Sequence, residues 1–199
     1  KKYSCVENHF ARVNTAMTRG VPIVKVGVIH PIESFWLHWG PNDKSGLIRE
    51  ELDKNFQDLT KWLLFGSIDF DFISESLLPG LCPHADAPLR VGEMKYDVIV
   101  VPGCETLRSS TLDRLEKFRE DGGRVIFLGE APTLENAQPS DRGERLFKNS
   151  EHIPYQRASL LTALDRSRTV CIRDDDGYLS DGLIYQLRED TDSLWLFVA

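Results

Sequence analysis

Clustered positive charge is missing from this chain. Its 199 residues hold 24 Lys and Arg against 31 Asp and Glu, a formal net charge of −7, with no basic block. Nucleic acid and anionic membranes both reward grouped cations, so neither is expected as a partner. No apolar run approaches the ~20 residues that a membrane-spanning helix needs. The opening 1-KKYSCVENHF-10 has a positive start but no apolar stretch behind it, so no signal peptide is read. The four cysteines, Cys5, Cys82, Cys104 and Cys171, form no C-x-x-C pair, which speaks against a zinc site and a disulfide framework. Scattered thiols fit a reducing compartment; the compartment stays open, with the cytoplasm favoured. There is no G-x-x-x-x-G-K loop for phosphate, since 121-DGG-123 closes a helix rather than opening one, and no cofactor is implied. No metal is expected either. Cys82 and His84 are half a ligand set, and Asp174, Asp176 and Gly177 begin like a calcium loop whose twelfth position is Tyr185 instead of Glu.

What is present is a globular composition, 41% hydrophobic and 28% charged, in a chain long enough for one sizeable core. Ser4 and Glu7 read as a capping box before Val6, Phe10, Val13 and Met17, which share a helix face. Residues 23-IVKVGVI-29, 97-DVIVVPG-103 and 124-RVIFLG-129 are β-branched, apolar and continuous, as buried parallel strands are. Between them, 46–66 reads as a helix with a stripe of Ile48, Leu52, Phe56, Leu59 and Leu63. Residues 68-IDFDFIS-74 read as a strand with one polar side, and 79–96 as an irregular connection with at most a short strand. A second helix follows Ser110 as cap and buries Leu112, Leu115 and Phe118. Residues 130–157 look polar and irregular, 158–165 helical, and 169-TVCIR-173 extended. The turn at 190–192 joins two antiparallel strands.

Strand–helix alternation requires right-handed crossovers and a parallel sheet covered on both faces. The expected fold is therefore α/β, a flavodoxin-like three-layer sandwich with a parallel central sheet and a C-terminal antiparallel extension.

The pair 99-IVVPG-103 and 122-GGRVIFLG-129, joined by a helix, resembles the class I glutamine amidotransferase-like fold. With 11-ARVNTAMTRG-20, 28-VIHPIESFW-36, 69-DFDFIS-74 and 185-YQLREDTDSLWLFVA-199, the chain is similar to the trimerisation domain of large bacterial β-galactosidases and related glycoside hydrolases. The resemblance implies a lead-in helix at 1–20, an amidotransferase-like domain at 21–173, and antiparallel strands at 174–199 that lead to a β-sandwich. Both ends read as cut. It further implies a non-catalytic module that meets a catalytic barrel, a β-sandwich, copies of itself or carbohydrate. Active relatives carry a Cys on a sharp turn after the strand matching 124–128; here Gly129 and Glu130 fill that place, a vestigial nucleophile position.

Three further candidate sites stand in the sequence. His30, Glu33, Trp36, His38 and Trp39 follow the first strand at its carboxyl end, where open α/β sheets bind ligands. They are read as substrate or interdomain contacts, with the structural role preferred. Cys104 follows a buried strand near a helix start and is the nucleophile of an alternative, amidotransferase- or peptidase-like reading; a flavodoxin-like small-molecule module is another alternative. Asp69 and Asp71 share a strand face, with Glu75 beyond, and are weighed as a glycosidase pair against the commoner solvated role.

Overall fold

The structure, a computed structural model, describes residues 3–199; Lys1 and Lys2, the first residues of the expected lead-in segment, lie outside the described residues. Helix α1 spans Tyr3–Thr18 and strand β1 Val21–Pro22. Then come β2 (Val26–Ile29), α2 (Ile32–Leu37), α3 (Asn42–Leu64), β3 (Phe70–Ile73) and α4 (Leu78–Leu81). The hairpin β4 (Leu89–Val91) and β5 (Met94–Tyr96) leads to β6 (Val98–Pro102), β7 (Thr106–Leu107), α5 (Ser109–Glu120) and β8 (Arg124–Leu128). Short strands β9 (Leu134–Glu135) and β10 (Gln138–Pro139) precede α6 (Arg142–Lys148), β11 (Glu151–Ile153) and α7 (Arg157–Ala163). A 3₁₀ turn at Asp165–Ser167 is followed by β12 (Tyr185–Glu189) and β13 (Leu194–Val198).

The centre is a five-stranded sheet in the order β11-β8-β6-β2-β3, every pairing parallel. Period-two alternation sends each strand's apolar side chains to opposite faces. Val26, Val28, Val98, Val100, Ile126 and Leu128 meet Leu59 and Leu63 of α3 and Leu160 and Leu161 of α7. Ile99, Val101, Val125 and Phe127 meet Leu112, Leu115 and Phe118 of α5 and Leu146 of α6. The molecule is thus a mixed α/β fold with helices on both faces of a parallel sheet. Among the described residues, no helix is long and apolar enough to cross a membrane.

Several local expectations are corrected. Helix α1 already contains Ser4, so Ser4 is not its cap. Its apolar residues are not buried: Phe10 is 64% and Val6 48% exposed. Helix α3 starts before Gly46, because Pro41 sets the turn and Asp43 places a carboxylate in the first turn, where the helix dipole favours it. Only Leu59 and Leu63 of its expected stripe are buried; Ile48 is exposed. The N-cap of α5 is Arg108, not Ser110. Its first amides find distant acceptors: Arg108 N–H donates to Glu75 Oε2 at 2.8 Å and Ser109 N–H to Asn136 Oδ1 at 3.1 Å.

Residues 79–96 hold a helical turn and a hairpin, and 130–157 holds the fifth strand of the main sheet. Residues 169–173 form no strand beyond a single bridge between Arg173 and Leu179. The C-terminal hairpin does not extend the parallel sheet. It forms its own sheet, β1-β12-β13, in which Val21 faces Glu189 and Pro22 faces Arg188.

Candidate functional site

The carboxyl ends of β2, β6, β8 and β11 open into a cleft of about 920 Å³. Counted along the chain, the five strands stand in the order 2-1-3-4-5. The winding direction therefore reverses between β2 and β6, and loops leaving neighbouring strands there separate to leave a crevice. His30 and Pro31 enter the cleft from β2, Pro102 and Gly103 from β6, Gly129 and Glu130 from β8, and Pro154 and Tyr155 from β11. Phe35 of α2, Glu51, Asp53 and Phe56 of α3, and Phe147 of α6 complete the walls.

Gly129 sits at the turn after β8 with φ +91°, and Gly103 at the parallel turn after β6 with φ +54°. Both values lie in the left-handed region that glycine enters without strain. A methyl group at Gly129 would stand 3.2 Å from the Tyr155 ring, and one at Gly103 would stand 3.4 Å from it. Tyr155 thus fills the space above both turns. Its hydroxyl donates to Asn55 O of α3 at 2.9 Å, and its ring lies 5.7 Å from that of Trp62. The turn amides are also engaged: Gly103 N–H donates to Leu128 O at 2.8 Å and Gly129 N–H to Ile153 O at 2.9 Å. An oxyanion hole needs amides aimed at a free oxygen position, and these two are committed to the sheet. Glu130 is exposed at the cleft rim.

The segment after β2 is the short helix α2, and the helix disperses the residues that the sequence groups together. His30 faces the cleft, its ring edge-on to Phe56 at 5.2 Å and Phe72 at 5.7 Å. Burial lowers its pKa, so it is neutral near pH 7. Glu33 points the other way and pairs with Arg108 Nε at 2.5 Å. With Trp36, Asn136 and Ala137 it borders a smaller groove of about 360 Å³. Between these faces Ser34 is fully buried, and its Oγ accepts from Glu105 N–H at 3.0 Å and Thr106 N–H at 3.3 Å, pinning α2 to β7. His38 Nε2 lies 2.6 Å from Glu105 Oε2. Trp39 is 71% exposed, with the Arg49 guanidinium 5.2 Å from its ring centre. Of the five grouped residues, then, only His30 lines the main cleft.

Cys104 is buried, and its Sγ has the Pro102 carbonyl at 3.8 Å as its contact. Burial pushes the thiol pKa well up, and the charges of Glu75 and Glu33 push it further. Asp71 lies in β3 and Asp69 just before it, and neither lines the main cleft. Asp71 accepts from the Tyr96 hydroxyl at 2.9 Å. Burial raises the Asp69 pKa to about 6, with repulsion from Asp71 adding to it. Glu75 stands apart, buried under the start of α5, and burial raises its pKa as well.

The cysteine and aspartate pairings noted above have structural explanations. Cys82 Sγ donates to the His84 carbonyl at 3.4 Å, and Asp174 Oδ1 accepts from Tyr178 N–H at 2.8 Å within a turn. Among the described residues, no three His, Cys, Asp or Glu side chains stand together as a metal-holding group.

Sequence reasoning missed Phe147, His152 and Tyr155, which lie in the segment read as irregular. The available signal was 151-EHIPY-155: alternation across three residues, then a proline at the strand's end. No protein-family model matches the chain, and no curated protein is found similar to it.

Proposed function

We propose that this chain is a non-catalytic α/β module of a larger carbohydrate-active, glycoside-hydrolase-like protein, flavodoxin-like in topology and related to the class I glutamine amidotransferase-like domains. The observation that carries the reading is the Tyr155 ring seated over Gly129 and Gly103, where a catalytic relative needs a thiol and an open oxyanion position. The strand order 2-1-3-4-5 supports the flavodoxin-like part of the proposal. Its work is to hold neighbouring domains: residues 1–20 lead in from one, 21–173 form the α/β body, and 174–199 lead on to the next. Exposed apolar side chains on α1 and β13, among them Phe10 (64%), Leu194 (64%) and Leu196 (52%), supply the surface that such neighbours, or further copies of the chain, would cover.

The test has two arms. The chain alone is assayed for glutamine and ester hydrolysis, with Cys104→Ser as control; no turnover is expected, and turnover lost in C104S would refute the proposal. In the intact protein, Phe10→Ser with Leu196→Ser is expected to loosen domain packing or association, seen as a larger radius or a lower mass by scattering. Unchanged scattering removes the interdomain role.

A further inference from the structure

The main cleft has a chemical bias that a purely structural module does not require. Glu51, Asp53 and Glu130 bring carboxylates to it, and no Lys or Arg is among the residues lining it. Elsewhere on α3, α5 and α6 some carboxylates are paired, Asp58 with Lys54, Glu116 with Arg142 and Glu144 with Lys148, while Asp43, Glu50 and Glu120 are in no ion pair among the described residues. Among the described residues Glu51 and Glu130 are in no ion pair, and Asp53 accepts from the Gln57 amide at 2.7 Å. Behind this rim the walls are aromatic and half-buried: Phe35, Phe56, Phe147 and Tyr155. The ring faces are negative, so they attract cations as the carboxylates do.

Donors are scarce. The Tyr155 hydroxyl is spent on Asn55 O. An anion meets no Lys or Arg here and three carboxylates oppose it, whereas a cation meets those carboxylates and the ring faces; a polyol would have only two imidazoles and one amide as side-chain donors.

We propose that this cleft binds a small organic cation of the alkylammonium class, with the apolar groups against Phe147 and Phe56 and the charge toward Glu130. At about 920 Å³ the space falls within the range of small-molecule sites, and it lies at the switch point where open α/β sheets place ligands. The inference is independent of the domain role proposed above. Either stands if the other fails, because one is read by small-ligand binding and the other by domain packing and association.

The probe is choline, compared with its uncharged isostere 3,3-dimethylbutan-1-ol, glucose and inorganic phosphate, by calorimetry and by the fluorescence of Trp62 and Tyr155. Choline is expected to bind about tenfold or more tighter than the isostere and to weaken with added salt. Glu130→Gln and Phe147→Ala are each expected to reduce choline affinity by roughly three- to tenfold, while the remote Asp175→Asn leaves it unchanged. Glu130 is exposed, so its variant leaves the core intact. Equal binding of choline and isostere, preference for glucose or phosphate, no choline binding at tens of millimolar, or indifference to both cleft substitutions would each overturn the proposal.

Discussion

Truncating Tyr155 tests the reasoning about the turn after β8 most directly. The side chain makes two separable contributions. Its hydroxyl donates to Asn55 O, and its ring covers Gly103, Gly129 and the flank of Trp62. Tyr155→Phe removes only the first. Asn55 O lies inside α3, where the helix ladder also uses it, so no carbonyl is left bare. The loss is then at the low end for a hydrogen bond, about 0.5–1 kcal/mol. Tyr155→Ala removes the ring as well. Full burial of an aromatic ring is worth ~3–5 kcal/mol on truncation to Ala, and Tyr155 is half-buried, so the cost is set at about 2–3 kcal/mol. For a chain of this length each 1 kcal/mol moves the midpoint by about 2–4 °C, giving a fall of roughly 1–4 °C for the Phe variant and 4–12 °C for the Ala variant. Urea unfolding followed by Trp fluorescence measures both, with unchanged slopes as the check on two-state behaviour. If the Ala variant lies within about 0.5 kcal/mol of the Phe variant, the ring is not packed over the turn, and the argument for an occluded nucleophile position fails.

Thiol labelling in the folded state is expected to modify Cys5 and Cys171, which are exposed, and to spare Cys82 and Cys104, which are buried; rapid modification of Cys104 would contradict its depth and its raised pKa. Asp69 gives a pH signature. Its folded-state pKa is about 6 against an ordinary value of 3.8, so the native state holds the proton more firmly than the unfolded chain does. The stabilisation this brings is fully present below the ordinary value and is lost as pH rises through about 6. Asp69→Asn keeps an acceptor for the Phe70 amide and is expected to raise stability at pH 7 while flattening the slope across that window; an unchanged slope in denaturation at stepped pH would show that Asp69 is not the group responsible.

Legibility in the sequence followed the length of each signal. Residues 98–102 and 125–128 are apolar runs buried on both faces of the sheet, and such runs have few other places to go. Strand β11 is three residues long and partly polar because it lies at the sheet edge, so its sequence resembles a loop. Helix α2 has six residues, too few for a period to show, yet it decides which way His30 and Glu33 face. The cap of α5 was unreadable for a different reason: Glu75 and Asn136 reach it from distant segments. Within the site, position revealed His30, because the carboxyl end of a parallel strand is where such sheets meet ligands. Tyr155 was invisible, since nothing local to it says that two distant glycines leave room for its ring.

The short pairing of Val21 and Pro22 with Glu189 and Arg188 has a mechanical meaning. Arg188 reinforces it, its guanidinium donating to the carbonyls of Arg19 and Gly20. Everything from residue 23 to residue 187 is consequently a loop tied off at its neck. A pull applied through Gly20 and Asp190 strains that knot first, and the buried parallel strands feel no load until it slips.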